Sequence, residues 1–310
     1  MLAYYADHFV LPLPPGHRFP MAKYRMLRDA LAAELPAVEL HEAPRSDDEE
    51  LRLVHTLEYI GAVRDGRLSA EEQRAIGFPW STAMVERSRR SVGGTVAAAF
   101  SAMQTGISAN LAGGTHHAYA DRGGGFCVFN DLAVAARSAQ AAWRQSHSDE
   151  LKVLILDLDV HQGNGTAGIF ESDASVFTVS LHGEKNFPFR KERSDLDVGL
   201  PDGCGDKDYL RALDHALMDV DRRFQPGLVI YQAGVDPYTD DRLGRLKLSA
   251  DGLRQRDRRV FEWCEGRRCG VAMTMGGGYA KRIEETVGLQ LNSFREALSS
   301  WRRWHNLSDV

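Results

Sequence analysis

The residues with most to offer chemistry lie between Leu154 and Gly165, a stretch reading LILDLDVHQGNG. Val153 to Leu156 are apolar on both faces, the pattern of a central parallel strand covered by helices. Side chains alternate with period 2, so Leu156, Leu158 and Val160 continue one side while Asp157, Asp159 and His161 fall on the other. Charges set directly after buried apolar residues are costly unless paired or metal-bound. The bland alternative is a strand end with solvated polar groups. The chemical reading is a metal site, because carboxylate and imidazole are zinc ligands and three protein ligands plus a water make a catalytic set. One strand supplies too few groups. Other segments must add a ligand, an acid/base and an oxyanion stabiliser.

Asp236 supplies the ligand: it follows LVIYQAG, a second buried strand that ends in a carboxylate. Asp159, His161 and Asp236 are assigned to the metal. Asp157 could replace one of them, but is placed behind the site as an orienting carboxylate. The set leaves a position for water, whose pKa a bound zinc lowers toward ~7. His116 and His117 follow Gly113-Gly114 and, pointing different ways as neighbours do, suit an acid/base pair better than joint metal binding. Tyr279 follows three glycines, which permit close backbone approach, so its hydroxyl could donate to an oxyanion. GGGYA does not match a nucleotide-binding GxGxxG and follows the last strand, not the first. In a second glycine-rich loop, Gly125 and Phe126, with Phe187 or Phe189, could wall a narrow apolar channel.

The elements that must position these groups alternate between strand and helix. Strands are expected at Ile107–Leu111, Val153–Leu158, Val176–Leu181, Leu228–Tyr231 and Val271–Met275. Helices are expected at Met21–Leu35, Ser81–Gln104, Leu132–Gln145 and Lys207–Phe224, from Ser249 toward Glu265, and at the C-terminus. Residues 1–20 and Gly183–Gly205 read as loops, and Ser46–Glu50 as a surface helix start. This order predicts an α/β fold with a mostly parallel central sheet and helices on both faces. His116/His117, Asp157/Asp159/His161, His182, Asp236 and Tyr279 all fall just past predicted strand ends, at the edge where ligands bind in such sheets. His55 could line a site, against the alternative of a packed or capping histidine.

The 310 residues contain no linker, repeat or low-complexity tract, so residues 1–310 read as a single domain. A net charge of −5 gives no reason to expect nucleic acid, and the arginines at 254–259 and 302–303 read as solvated helix faces. No apolar run approaches a membrane span and no signal peptide is evident. Cys127, Cys204, Cys264 and Cys269 form no CxxC pair; free thiols fit a cytoplasmic protein. No oligomeric state follows from the sequence.

Taken together, GGTHHA (113–118), GGGFCVFND (123–131), LDLDVHQGNGT (156–166), VSLH (179–182), AGVDPYTDDRLG (233–244) and GGGYA (276–280) resemble the histone deacetylase-like zinc amidohydrolases, the arginase–deacetylase fold, over roughly residues 17 to 290. The resemblance implies zinc, or iron in its place, on Asp159, His161 and Asp236. It implies His117 as general base and acid, His116 beside it paired to Asp157, and Tyr279 as donor to the substrate carbonyl. It also suggests a structural potassium ion held by Asp157, Ser180 and the carbonyls of Asp159, His161 and Leu181. GHRFPMAKY (16–24) looks like bacterial relatives of the class IV enzymes. Two departures stand out. Asn164 occupies the place of a second orienting Asp beside His117, so this imidazole should have the lower pKa. Val128-Phe129 replaces the Tyr-Leu common after GFC. The implied reaction is deacylation of an N-ε-acyl-lysine peptide or similar acylated amine. The rivals are an acetylpolyamine or other small-molecule amidohydrolase, a non-catalytic acyl-lysine binder, and a two-metal ureohydrolase.

Overall fold

The computed structural model describes residues 1–307. Their eight strands, β1 (Leu2–Tyr5), β2 (Glu39–Glu42), β3 (Ile107–Asn110), β4 (Val153–Asp157), β5 (Val176–Gly183), β6 (Leu196–Leu200), β7 (Leu228–Gln232) and β8 (Gly270–Thr274), form one sheet in the order β2-β1-β3-β8-β7-β4-β5-β6. Every adjacent pair is parallel. The helices begin with α1 (Lys23–Glu34), α2 (Asp48–Leu51), α3 (Leu57–Asp65), α4 (Ala70–Ile76) and α5 (Thr82–Thr105). They continue with α6 (Asp131–Trp143), α7 (Asn164–Phe170), α8 (Asp206–Arg223), α9 (Ala250–Arg267) and α10 (Ile283–Trp304).

The period-2 pattern divides the core. Leu154, Leu156, Leu158 and Val160 face one apolar layer with Leu27 and Leu31 of α1, Leu213 of α8, Val260 of α9 and Phe294 of α10. Val153 and Ile155 face the other, built from Val63 of α3, Val92 and Val96 of α5 and Leu132 of α6. Each such buried aliphatic side chain contributes about 1.5–3 kcal/mol. Ser81 starts α5 by accepting a hydrogen bond from the Met84 amide, satisfying a donor the helix leaves free. Gly93 and Gly94 of α5 press against Pro44 and the Asn110 side chain, leaving no room for a Cβ.

Three strands depart from expectation. Residues 2–5 and 39–42 pair as β1 and β2, and 196–200 add β6 at the far edge. Their alternation is weak because two of them are sheet edges, held by main-chain pairing more than by apolar side chains. The arginines at 254–259 are not all solvated either: Arg256 is fully buried.

His55 is buried, and its Nε2 accepts a hydrogen bond from the Asn130 amide at the start of α6. Burial lowers its pKa to about 4. An unfolded chain, with His55 near ~6.5, takes up that proton first as pH falls. Stability fully present above ~6.5 is therefore lost down to about pH 4. The expected loss at this site is about 3 kcal/mol, and urea midpoints measured across this window should fall less steeply in a His55→Gln variant than in the native protein.

Candidate active site

The carboxyl ends of β3, β4, β7 and β8 meet near the middle of the sheet, where β4 lies between β5 and β7. Past β4 the chain keeps its alternation, so Asp157, Asp159 and His161 stay on one side. Asp159 and Asp236 are fully buried. Ligand atoms of Asp159, His161 and Asp236 lie within 4.8 Å of one another. His161 Nδ1 is 3.0 Å from Asp159 Oδ1 and 3.2 Å from Asp236 Oδ2. Asp236 Oδ1 accepts from the Val160 amide at 2.8 Å, which turns Oδ2 toward the triad, where it is buried without a hydrogen-bond partner. Asp159 Oδ2 accepts from the Gly277 amide at 2.8 Å. A Cβ on Gly277 would collide with both carboxylates, so only glycine lets this loop close on them.

The electrostatics ask for a cation. Burial penalises a charged His161, yet the two carboxylates beside it push its pKa up to about 10. Burial and the neighbouring Asp159 push Asp236 up to about 7. Two buried carboxylates repelling each other, an imidazole aimed between them and an orphaned carboxylate oxygen fit a divalent metal of zinc type.

The histidine pair sits beside the triad. His116 Nδ1 is 2.6 Å from Asp157 Oδ2, and its Nε2 is 3.1 Å from His117 Nε2. His117 Nδ1 is 2.6 Å from Asn164 Oδ1, at the first turn of α7. An amide oxygen only accepts, so His117 Nδ1 carries the hydrogen and Nε2 is its basic nitrogen. The two rings are driven apart in pKa. Burial disfavours charge on His116, but Asp157 raises its pKa overall. Burial and the positive charge of His116 and His161 hold His117 well below the ordinary range, against the weaker opposition of the Asn164 amide and the Asp159 carboxylate. A pair split in this way holds one charged partner and one free base.

Tyr279 lines the same pocket as the triad and the histidines. Burial, with Asp159 and Asp236 nearby, keeps its hydroxyl protonated and able to donate. Its amide donates to Asp241 Oδ2 at 2.6 Å, and its carbonyl accepts from Arg242. Gly125 has φ +54°, and a Cβ there would stand 2.5 Å from His117 Cδ2. Phe126 follows at φ 66°, an unusual backbone for a side-chain-bearing residue, and its ring packs on Phe19 and Phe78. The Phe187 ring meets His117 edge-on, centroids 4.9 Å apart. Phe189 stands further out, 85% exposed. His182 lies inside β5 with Nδ1 2.9 Å from Ser180 Oγ, away from the pocket. Ser180 pairs with Asp157 across the β4–β5 ladder, and Leu181 follows it.

Nothing in local pattern marks the supporting groups. Arg256 donates to the carbonyls of Leu158, Ala233 and Gly234, beneath both ligand-bearing strand ends. Asp241 gathers the amides of Leu243, Gly244 and Tyr279. Tyr119 links Asn164 to Glu192. Asp241 lies inside AGVDPYTDDRLG, where the pair Asp240-Asp241 does not say which carboxylate turns inward.

An open parallel sheet with a carboxylate–imidazole triad and a histidine pair at its carboxyl edge is the arginase–deacetylase architecture. Residues 17–292 match the histone deacetylase domain, and the chain belongs to the histone deacetylase family. It is 45% identical over 285 residues to an uncharacterized protein of Picosynechococcus sp., covering 91% of this chain and 93% of that one. It is 36% identical to histone deacetylase 2 of Arabidopsis thaliana (84% of this chain, 68% of the relative) and 32% identical to the acetoin utilization protein AcuC of Bacillus subtilis (76% and 65%). Among solved structures, a histone deacetylase homologue from Aquifex aeolicus superposes with a TM-score of 0.78 at 25% identity, over all of this chain and 84% of the other. The HDA15 HD domain gives 0.79 at 24% identity, over 99% and 95%, and shows the shared fold. Among the described residues no helix is long and apolar enough to cross a membrane.

Proposed function

We propose that residues 1–310 form one catalytic domain that hydrolyses the amide of an acylated amine, an N-ε-acyl-lysine side chain in a peptide or protein, with zinc on Asp159, His161 and Asp236. Iron could take the same ligands. The observation that carries this reading is the convergence, in one buried pocket, of the triad with His117 Nε2, whose far nitrogen is committed to Asn164 at 2.6 Å. A bound zinc would supply Lewis acidity, polarising the carbonyl and acidifying water. His117 takes the proton of the attacking water at Nε2 and returns it to the leaving amine nitrogen. His116, held by Asp157, keeps positive charge beside the developing anion. Tyr279 donates its hydroxyl hydrogen to the carbonyl oxygen as that oxygen gains charge. Gly125, Phe126 and Phe187 form an apolar sleeve for the lysine methylenes and keep water from the reacting amide. A potassium ion would take Asp157, Ser180 and the carbonyls of Asp159, His161 and Leu181, where the β4–β5 ladder brings Asp157 beside Ser180.

The test is hydrolysis by zinc-loaded protein of a panel of acetyl-, propionyl-, octanoyl- and myristoyl-lysine peptides and acetylated polyamines, with Asp159→Ala as blank. Cleavage of at least one lysine peptide, absent in the blank, is the expected result. Zinc bound with every peptide untouched would overturn the reading.

A further inference from the structure

Outside the aromatic sleeve the pocket widens into a vestibule that still reaches His117, His161 and Tyr279. Four cations line it: Arg18 from the loop before α1, Arg74 from the last turn of α4, Lys185 after β5 and Arg245 after β7. Among the described residues no Asp or Glu lines it. Arg245 is held by Asp202 at 3.1 Å. Arg18, Arg74 and Lys185 are exposed and form no ion pair or side-chain hydrogen bond among the described residues. Other surface arginines, such as Arg64, Arg90, Arg258 and Arg267, each hold a carboxylate. The positive mouth also opposes the net charge of −5.

Three unpaired like charges delivered to one rim by three separate segments repel one another, and a cleft focuses their field. That field favours a substrate with negative charge close to the scissile amide. It also opposes a second ammonium group at the rim, where an acylated polyamine would have to place one, since like-charge juxtaposition is a standard way to reject a wrong partner. The exposed Phe187 and Phe189 beside the cations offer apolar contact to a peptide backbone segment.

We propose that this vestibule selects acyl-lysine side chains flanked by Asp or Glu in a peptide, and rejects acylated polyamines. The proposal rests on the deacylase reading above and names its substrate class.

The experiment compares peptides of one length carrying the acyl group preferred in the panel, with the lysine flanked by Asp/Glu, by Ser/Gly or by Arg/Lys, alongside N-acetylspermidine. Each kcat/KM is measured on zinc-loaded protein at roughly 50 and 500 mM salt, which brackets strong and weak screening. At low salt the acidic peptide should exceed the neutral one by about tenfold, within the range of electrostatic steering. The basic peptide and the polyamine should fall below the neutral one, and the acidic-to-neutral ratio should approach one at high salt. In an Arg18→Glu/Arg74→Glu double variant that ratio should invert. Because it is taken within one protein, partial misfolding cancels. A ratio near one at low salt, with the neutral peptide cleaved, or faster cleavage of the polyamine, overturns the proposal and leaves the deacylase reading standing. Failure to cleave any peptide, the neutral one included, overturns that reading and this proposal together.

Discussion

Replacing His117 by alanine is expected to lower kcat by roughly 10²–10⁴, the span a general acid–base group contributes. His117 Nε2 is the one basic nitrogen that both lines the pocket and is free of a carboxylate, since its other nitrogen is spent on Asn164. His116 cannot substitute: Asp157 holds it 2.6 Å away and favours its charged form. KM should change little, because the imidazole acts on the reacting atoms and not on the peptide. Thermal unfolding should stay close to that of the native protein, since the lost ring faces the pocket rather than the packed core. Added imidazole should restore part of the rate. Near-native turnover in a folded variant would remove His117 from the role of base.

Asp236→Ala should abolish turnover and metal retention together. Asp236 spends Oδ1 on the Val160 amide and leaves Oδ2 without a hydrogen-bond partner, aimed at His161 and Asp159. Removing it leaves one carboxylate and one imidazole, too few to hold zinc. Affinity should fall further than the roughly 10–100-fold that follows loss of an outer hydrogen-bond partner. Elemental analysis after dialysis should find zinc in the native protein and almost none in the variant. The native protein should also unfold at higher temperature when zinc is added, because a ligand that binds only the folded state stabilises it. A variant that keeps its zinc and its zinc-dependent stability would place the metal elsewhere.

The sequence by itself determined which side chains gather at the candidate site. Period-2 alternation through Val153–His161 put three polar side chains on one side of a buried strand, and the same logic located Asp236 after β7. Both are local consequences of strand geometry. The pairing of His116 with Asp157 and of His117 with Asn164 came with the family resemblance, and the 2.6 Å contacts agree with it.

Only the tertiary structure decided the rest. β1 and β2 are invisible to alternation because they form by hydrogen-bonding their main chains to neighbours distant in sequence, Leu2 beside Glu39 and Ala3 beside Ala109. Arg256 looks like one charge among many in its helix, but the crossing of α9 beneath β4 and β7 buries it against the carbonyls of Leu158, Ala233 and Gly234. Arg18, Arg74 and Lys185 lie far apart in the chain, and no motif joins them. They become one charged rim because three connections end at the same edge of the sheet. Alternation and motif spacing encode what a side chain does within its own segment. Which segments share a surface is set by the packing of the whole sheet, and the field at the mouth of this pocket follows from that packing.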